Sequence, residues 1–145
     1  MTPHTDPSPT PAQLLRGAAV HIDTHGWHQG CRYEMHAELN PTPPACAAGA
    51  LCIATYGSAL ADLIRRPEPT EAQWRALGEV YRFFACHLLG TDPGYRGDPG
   101  ELLDVYEEII GTWNDHDGRT AAQVTTALRE AADEWDRLHP CRGAA

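Results

Sequence analysis

Apolar residues recur at intervals of three or four over four long stretches of the chain. This spacing is typical of helices that bury one face. Three of the stretches begin with a Thr-x-x-Gln capping box, at Thr10, Thr70 and Thr120. Because each apolar stripe must pack against another element, the pattern predicts an all-α fold, a compact bundle. The stripes are Leu14, Leu15, Ala18 and Ile22; Trp74, Leu77, Tyr81, Phe84 and Leu88; Leu102, Tyr106, Ile109, Ile110 and Trp113; and Val124, Ala127, Leu128, Ala131, Trp135 and Leu138.

A fifth helix is predicted in the small-residue segment "CAAGALCIATYGSALADLIRR", from about Ala45 and with a break at Gly57. The bundle therefore has about five helices. The stretch "WHQGCRYEM" lacks helical spacing and predicts one short extended segment near residues 27–35.

Length and composition favour a single domain with short tails. The 145 residues suit one hydrophobic core, and we assign the helical domain to residues 10–140. Residues 1–9 are rich in Pro, Thr and Ser, which predicts a disordered tail, and residues 141–145 are expected to be flexible.

Charge and cysteine content limit the classes of partner. The chain has 20 acidic and 11 basic residues, a net charge of −9, which argues against nucleic-acid binding. No apolar run approaches a membrane span, and the first residues do not resemble a secretory signal. The five cysteines show no framework spacing, so we expect reduced thiols in the cytoplasm. We expect no cofactor, because the Gly-rich loop "GTDPGYRGDPG" lacks the residues of a phosphate site.

The polar turn "WNDHDGRT", residues 113–120, is the first candidate site. Asn114 can adopt the left-handed conformation that ends a helix, and Gly118 does so freely. Asp115 or Asp117 can accept hydrogen bonds from backbone amides or pair with Arg119. On this interpretation only His116 has no structural role. A binding role instead requires Asp115 and Arg119 to face a cleft.

Cys46 is the second candidate. The preceding prolines place it in the first turn of a helix, where free amides favour a thiolate and lower the thiol pKa from its usual ~8.5. Nucleophilic cysteines often occupy such positions. The competing interpretation is a small buried hydrophobe, with Gly49 serving close helix packing.

An enzymatic interpretation follows if Cys46 is a nucleophile. Asp115 would then orient a histidine base, either His116 or His28, and Gln29 or the helix amides would stabilise an oxyanion. The reaction class would be a cysteine-dependent hydrolase or acyl transferase.

A histidine-rich segment offers an alternative metal site. His21, His25, His28 and Cys31 have zinc-like donor atoms, and His21 and His25 lie one helical turn apart. Their spacing matches no standard finger or hydrolase motif, so our primary expectation is that no metal is bound.

Three segments together resemble a family of small actinobacterial and actinophage proteins known only as a domain of unknown function. The segments contain "GWHQG", "CAAGAL" and "WNDHDGRT", and the resemblance covers roughly residues 12–132. It implies that the three segments meet in space, either to cement the core or to line one pocket. It carries no catalytic assignment. The matching positions are Trp27, Gln29, Gly30, Cys46, Gly49, Trp113, Asn114, Asp115, Gly118, Arg119 and Thr120.

These observations favour a non-enzymatic binding, accessory or regulatory module. The expected binding residues are Trp27, Gln29, Asn114, Asp115 and Arg119. The partner is a protein or a small molecule that the sequence does not identify, and both a monomer and a homodimer remain open. The cysteine-dependent enzyme is the alternative.

Overall fold

Six helices form the regular structure in the computed structural model, which describes residues 8–35, 39–97 and 99–140. The predicted all-α bundle is confirmed. The predicted tails at residues 1–9 and 141–145 lie outside the described residues, apart from the exposed, non-helical Ser8 and Pro9. The helices are α1 (Pro11–His25), α2 (Ala47–Tyr56), α3 (Ala59–Leu63), α4 (Glu71–Leu89), α5 (Pro99–Asn114) and α6 (Ala121–Leu138).

The three predicted capping boxes are confirmed at the starts of α1, α4 and α6. In each, the threonine side chain accepts a hydrogen bond from the amide of the glutamine three residues later. That glutamine side chain accepts a hydrogen bond from the amide of the threonine in return. Such caps satisfy amides that have no partner inside the helix and contribute about 1 kcal/mol each.

Helix α2 occupies the centre of the bundle. Its residues are apolar on every side, which is typical of a helix that neighbours surround. It packs against α1, α3, α4 and α5, while α6 covers α1. Gly57 ends α2 with φ +88°, so the predicted break at this residue is confirmed. The residues after the break form a helix of their own, α3, which is why the described residues contain six helices rather than about five.

Residues 26–34 form a loop, named here the 26–34 loop, rather than the single extended segment predicted near residues 27–35, and its two short arms lie around Trp27 and Tyr33. Trp27 and Tyr33 each form an isolated β-bridge with Ala45, one on either side of it. The amide of Cys46 donates to the carbonyl of Arg32 at 2.9 Å. The chain leading into α2 is thus held between both arms of the loop.

Two residues of the apolar stripes lie outside the core, contrary to the pattern. Trp74, in the first turn of α4, is 36% exposed, and Leu138, the last residue of α6, is 52% exposed. Both lie near helix ends, where a regular stripe extends past the elements that cover its middle. None of the described helices combines the length and apolar character that crossing a membrane requires.

Candidate functional site

Asn114, the last residue of α5, connects three parts of the fold through one fully buried side chain. Its Oδ1 accepts hydrogen bonds from Trp27 Nε1 at 2.8 Å and from the amide of Ala47 at 3.0 Å. Its Nδ2 donates to the carbonyl of His28 at 3.1 Å and to Asp115 Oδ1 at 3.0 Å. The amide therefore uses its full hydrogen-bonding capacity to join α5, the 26–34 loop and the start of α2.

Gln29 and Gly30 fasten the same loop to the end of α5. Gln29 Nε2 donates to the carbonyls of Asn114 at 3.1 Å and His116 at 3.3 Å. The Gly30 amide donates to Asp115 Oδ1 at 2.9 Å. Carbonyls at a helix end lack intrahelical partners, so these contacts complete α5. Gln29, predicted as an oxyanion donor, has its amide group directed at the main chain.

Arg119 closes the turn after α5. Its Nε donates to the carbonyl of Trp113 at 2.9 Å, and its guanidinium carbon lies 4.2 Å from the centroid of the Trp113 ring. The left-handed conformation predicted for Asn114 is wrong, because that residue is the last of α5. Gly118, with φ +83°, is the left-handed residue of the turn.

Asp115 and Arg119 face different clefts, so the structure does not bring them together at one site. Asp115 lines a cleft of about 420 Å³ between the 26–34 loop and α5, named here the acidic cleft. Arg119 lines an adjacent cleft of about 490 Å³, named here the apolar cleft, with Leu89, Tyr95 and His116. The acidic cleft is lined by Cys31, Arg32, Cys46, Asp104, Glu107, Glu108 and Asp115, together with small residues.

Cys46 is the N-cap of α2, and only 5% of its surface is exposed. Its Sγ accepts a hydrogen bond from the amide of Gly49 at 3.3 Å. Burial raises the pKa of the Cys46 thiol to about 11, because loss of hydration outweighs the stabilising amides of Gly49 and Ala48. The predicted lowering of this pKa is therefore wrong.

The structure does not bring the predicted nucleophile and base together. Within the described part of the chain, the hydrogen-bond partners of Cys46 Sγ are backbone amides. His116 Nδ1 donates to the carbonyl of Asp117 at 2.8 Å, and its side chain lines the apolar cleft. His28 Nε2 instead lies 3.2 Å from Cys31 Sγ.

The alternative metal ligands are divided between two pairs. His21 is buried, its Nε2 donates to the carbonyl of Pro43 at 2.8 Å, and its ring centroid lies 4.8 Å from that of His25. His28 pairs with Cys31. Across residues 8–35, 39–97 and 99–140, no three His, Cys, Asp or Glu side chains are grouped as metal ligands. Burial lowers the pKa of His21, which favours the neutral ring.

Sequence reasoning missed the ion-pair network around Arg32, which forms one wall of the acidic cleft. Arg32 Nη1 donates to both carboxylate oxygens of Asp62 at 2.9 and 3.0 Å, and its Nε donates to Glu107 at 2.8 Å. Tyr33 adds a hydrogen bond to Asp62 at 2.8 Å. Burial is the largest single influence on the pKa of Arg32 and lowers it, but the hydrogen bond to Glu107 and the charges of neighbouring groups such as Asp62 together raise this pKa above its usual value. The partners lie 30 and 75 residues away, beyond any local signal.

Fold and site together define a small helical bundle in which one loop is hydrogen-bonded between two helix ends beside an open acidic cleft. The chain belongs to the family of unknown function DUF6197, whose profile matches residues 6–134. The predicted membership of a family without an assigned function is thereby confirmed. Comparisons with curated proteins and with solved structures give no match.

Proposed function

We propose that this protein is a non-enzymatic binding module that uses the acidic cleft to bind a positively charged group of a partner. The observation that carries the proposal is the charge of the cleft walls. Four carboxylates line it, and the guanidinium of Arg32 is already bonded to one of them and to Asp62. The four are Asp104, Glu107, Glu108 and Asp115.

The size and position of the cleft suit a single cationic side chain or a small amine. Its volume of about 420 Å³ falls in the lower part of the range for small-molecule sites. A guanidinium presents several donors in a plane, which matches neighbouring carboxylates well. The net charge of −9 would attract such a partner over long distances at low salt.

The walls of the cleft are held in place before any ligand arrives. Gly30 is bonded to Asp115, and Arg32 is bonded to Glu107, so the loop and α5 keep their spacing. Preorganised walls reduce the entropy lost on binding. No contact of the described residues favours the alternative of a hydrolase or acyl transferase with Cys46 as nucleophile, because burial keeps that thiol protonated near neutral pH.

Titration with argininamide, followed by amide chemical shifts, tests the proposal. The largest changes in chemical shift are expected at residues 30–32 and 104–115, and these changes should become smaller when salt is added. The double variant Asp104→Asn, Glu108→Gln should reduce the affinity by about fivefold to tenfold. The matched control Glu79→Gln, Glu130→Gln removes the same charge elsewhere and should change it by less than about twofold.

Two results would count against the proposal. Shifts spread evenly over the acidic surface would indicate attraction to net charge alone. Equal losses of affinity in the cleft variant and in the control variant would lead to the same conclusion, because each variant removes two negative charges.

A further inference from the structure

His28 and Cys31 form a thiol–imidazole pair at the edge of the acidic cleft. His28 Nε2 lies 3.2 Å from Cys31 Sγ, and the thiol also donates to the carbonyl of Tyr33 at 3.0 Å. Of the described free cysteines, Cys31 is exposed, Cys86 is half-buried, and Cys46 and Cys52 are buried. An imidazole beside an accessible thiol is the arrangement that generates a nucleophilic thiolate.

The loop holds this pair in a defined geometry. The His28 amide donates to the carbonyl of Ala45 at 3.1 Å, and the His28 carbonyl accepts from Asn114 Nδ2 at 3.1 Å. Gly30 is bonded to Asp115. The main chain is therefore anchored at residue 28 and next to residue 31, which keeps the imidazole near the sulfur.

We propose that Cys31 is a nucleophilic thiol that forms mixed disulfides with small, positively charged disulfides, with His28 as its base. The S–H group of Cys31 turns from the Tyr33 carbonyl to His28 Nε2, which accepts its proton, and the resulting thiolate attacks one sulfur of the reagent. The new bond joins Cys31 to that sulfur while the reagent's S–S bond breaks. The departing thiolate takes the proton back from the imidazolium, so one disulfide and one thiol yield one mixed disulfide and one thiol.

The charges around the pair select the reagent. The facing groups on α5 and in the turn are the carboxylates of Asp104, Glu107, Glu108 and Asp115, and Arg32 is engaged by Glu107 and Asp62. A cationic disulfide is attracted to these walls and an anionic one is repelled. This preference for positive charge rests on the proposed function of the cleft, whereas the reactivity of the pair does not.

The test compares two disulfides of opposite charge, cystamine and 3,3′-dithiodipropionate, on the full chain near neutral pH. Peptide mass mapping gives the rate at each cysteine, normalised to N-acetylcysteine amide with the same reagent. With cystamine, Cys31 should react at least about tenfold faster than Cys86. His28→Gln should slow Cys31 by about tenfold, and the control variant His116→Gln by less than about twofold.

Each part of the proposal has its own contrary result. If His28→Gln leaves the rate at Cys31 unchanged in a folded protein, His28 is not its base. If the normalised rates with the two reagents are equal, the cleft does not select for positive charge, and the proposed function fails with that preference while the reactive pair stands. A measurement without any variant compares the rate at which cystamine reacts with Cys31 in native protein and in urea. If the native rate is no higher than the unfolded rate, the fold does not activate the Cys31 thiol.

Discussion

The indole nitrogen of Trp27 lies 2.8 Å from the side-chain oxygen of Asn114, 87 residues further along the chain. The same oxygen accepts a hydrogen bond from the backbone amide of Ala47, the first residue of α2. The buried side-chain amide of Asn114 therefore joins the end of α5 to the start of α2 and to the 26–34 loop. Since Asp115 follows directly and lines the acidic cleft, the stability of the bundle and the shape of the cleft depend on the same contacts.

Asn114→Ala should be strongly destabilising. The substitution leaves the Ala47 amide, the Trp27 indole N–H and the His28 carbonyl without their present partner. Unsatisfied buried groups cost about 1–3 kcal/mol each, and partial access of water to Trp27 reduces the sum. We expect the free energy of unfolding to fall by about 2–4 kcal/mol, measured by urea denaturation.

A second asparagine provides the control for that measurement. Asn40 is exposed, and its Oδ1 accepts one hydrogen bond, from the amide of Thr42 at 2.9 Å. Asn40→Ala should cost no more than about 0.5 kcal/mol. Equal losses for the two variants would show that the network around Asn114 adds little to stability.

Gly49→Ala is expected to disrupt the contact between α2 and the 26–34 loop. A Cβ at Gly49 would lie 2.3 Å from the carbonyl oxygen of Arg32, a main-chain atom that cannot rotate away. The loop would have to move, so we expect a loss of about 2 kcal/mol or more in thermal or urea unfolding. In addition, the displaced loop should weaken binding in the acidic cleft.

The matched glycine substitution is Gly78→Ala in the middle of α4. Apart from the adjacent backbone of α4 itself, no atom lies within 4 Å of a Cβ built there, so alanine removes only the helix-weakening flexibility of glycine. We expect a gain of about 0.5–1 kcal/mol. If Gly49→Ala and Gly78→Ala change the free energy of unfolding by the same amount, the close approach of the Arg32 carbonyl to Gly49 does not restrict the residue at that position.

The helices and their starting points were predictable because their signals are local. A threonine, a glutamine three residues later and an apolar stripe describe a helix start within a few residues, as at Thr10, Thr70 and Thr120. The break at Gly57 has the same local origin. Even so, Trp74 shows the limit of a stripe, because its exposure depends on what covers the first turn of α4.

The candidate site was less predictable because its contacts join distant segments. The family resemblance implied that the three segments meet, and Asn114 does join them, yet the resemblance did not specify which atoms bond. Burial decides whether the pKa of Cys46 lies above or below that of a free thiol, and this burial depends on how the 26–34 loop covers the start of α2. No spacing rule contains that information.

His21 should make the protein less stable in mildly acidic solution. Burial lowers its pKa below the usual 6.5 in the folded state, although its hydrogen bond to Pro43 opposes this. The unfolded chain therefore takes up a proton first as the pH falls, so stability is complete above about 6.5 and declines below it. In His21→Gln this decline should be smaller, as urea unfolding at several pH values would show. A decline of the same size in both proteins would exclude His21 as its source.

Cys46 should remain unreactive in the folded protein. Its thiol is buried, and its pKa of about 11 leaves almost no thiolate near neutral pH, whereas the pKa of a free cysteine thiol is ~8.5. Iodoacetamide should therefore label Cys46 at a rate that follows unfolding, far more slowly than it labels the exposed Cys31. Residue-resolved mass spectrometry with and without urea measures both rates. If Cys46 were labelled in native protein as fast as Cys31, the buried thiol would be contradicted and a nucleophilic Cys46 would return as the better hypothesis.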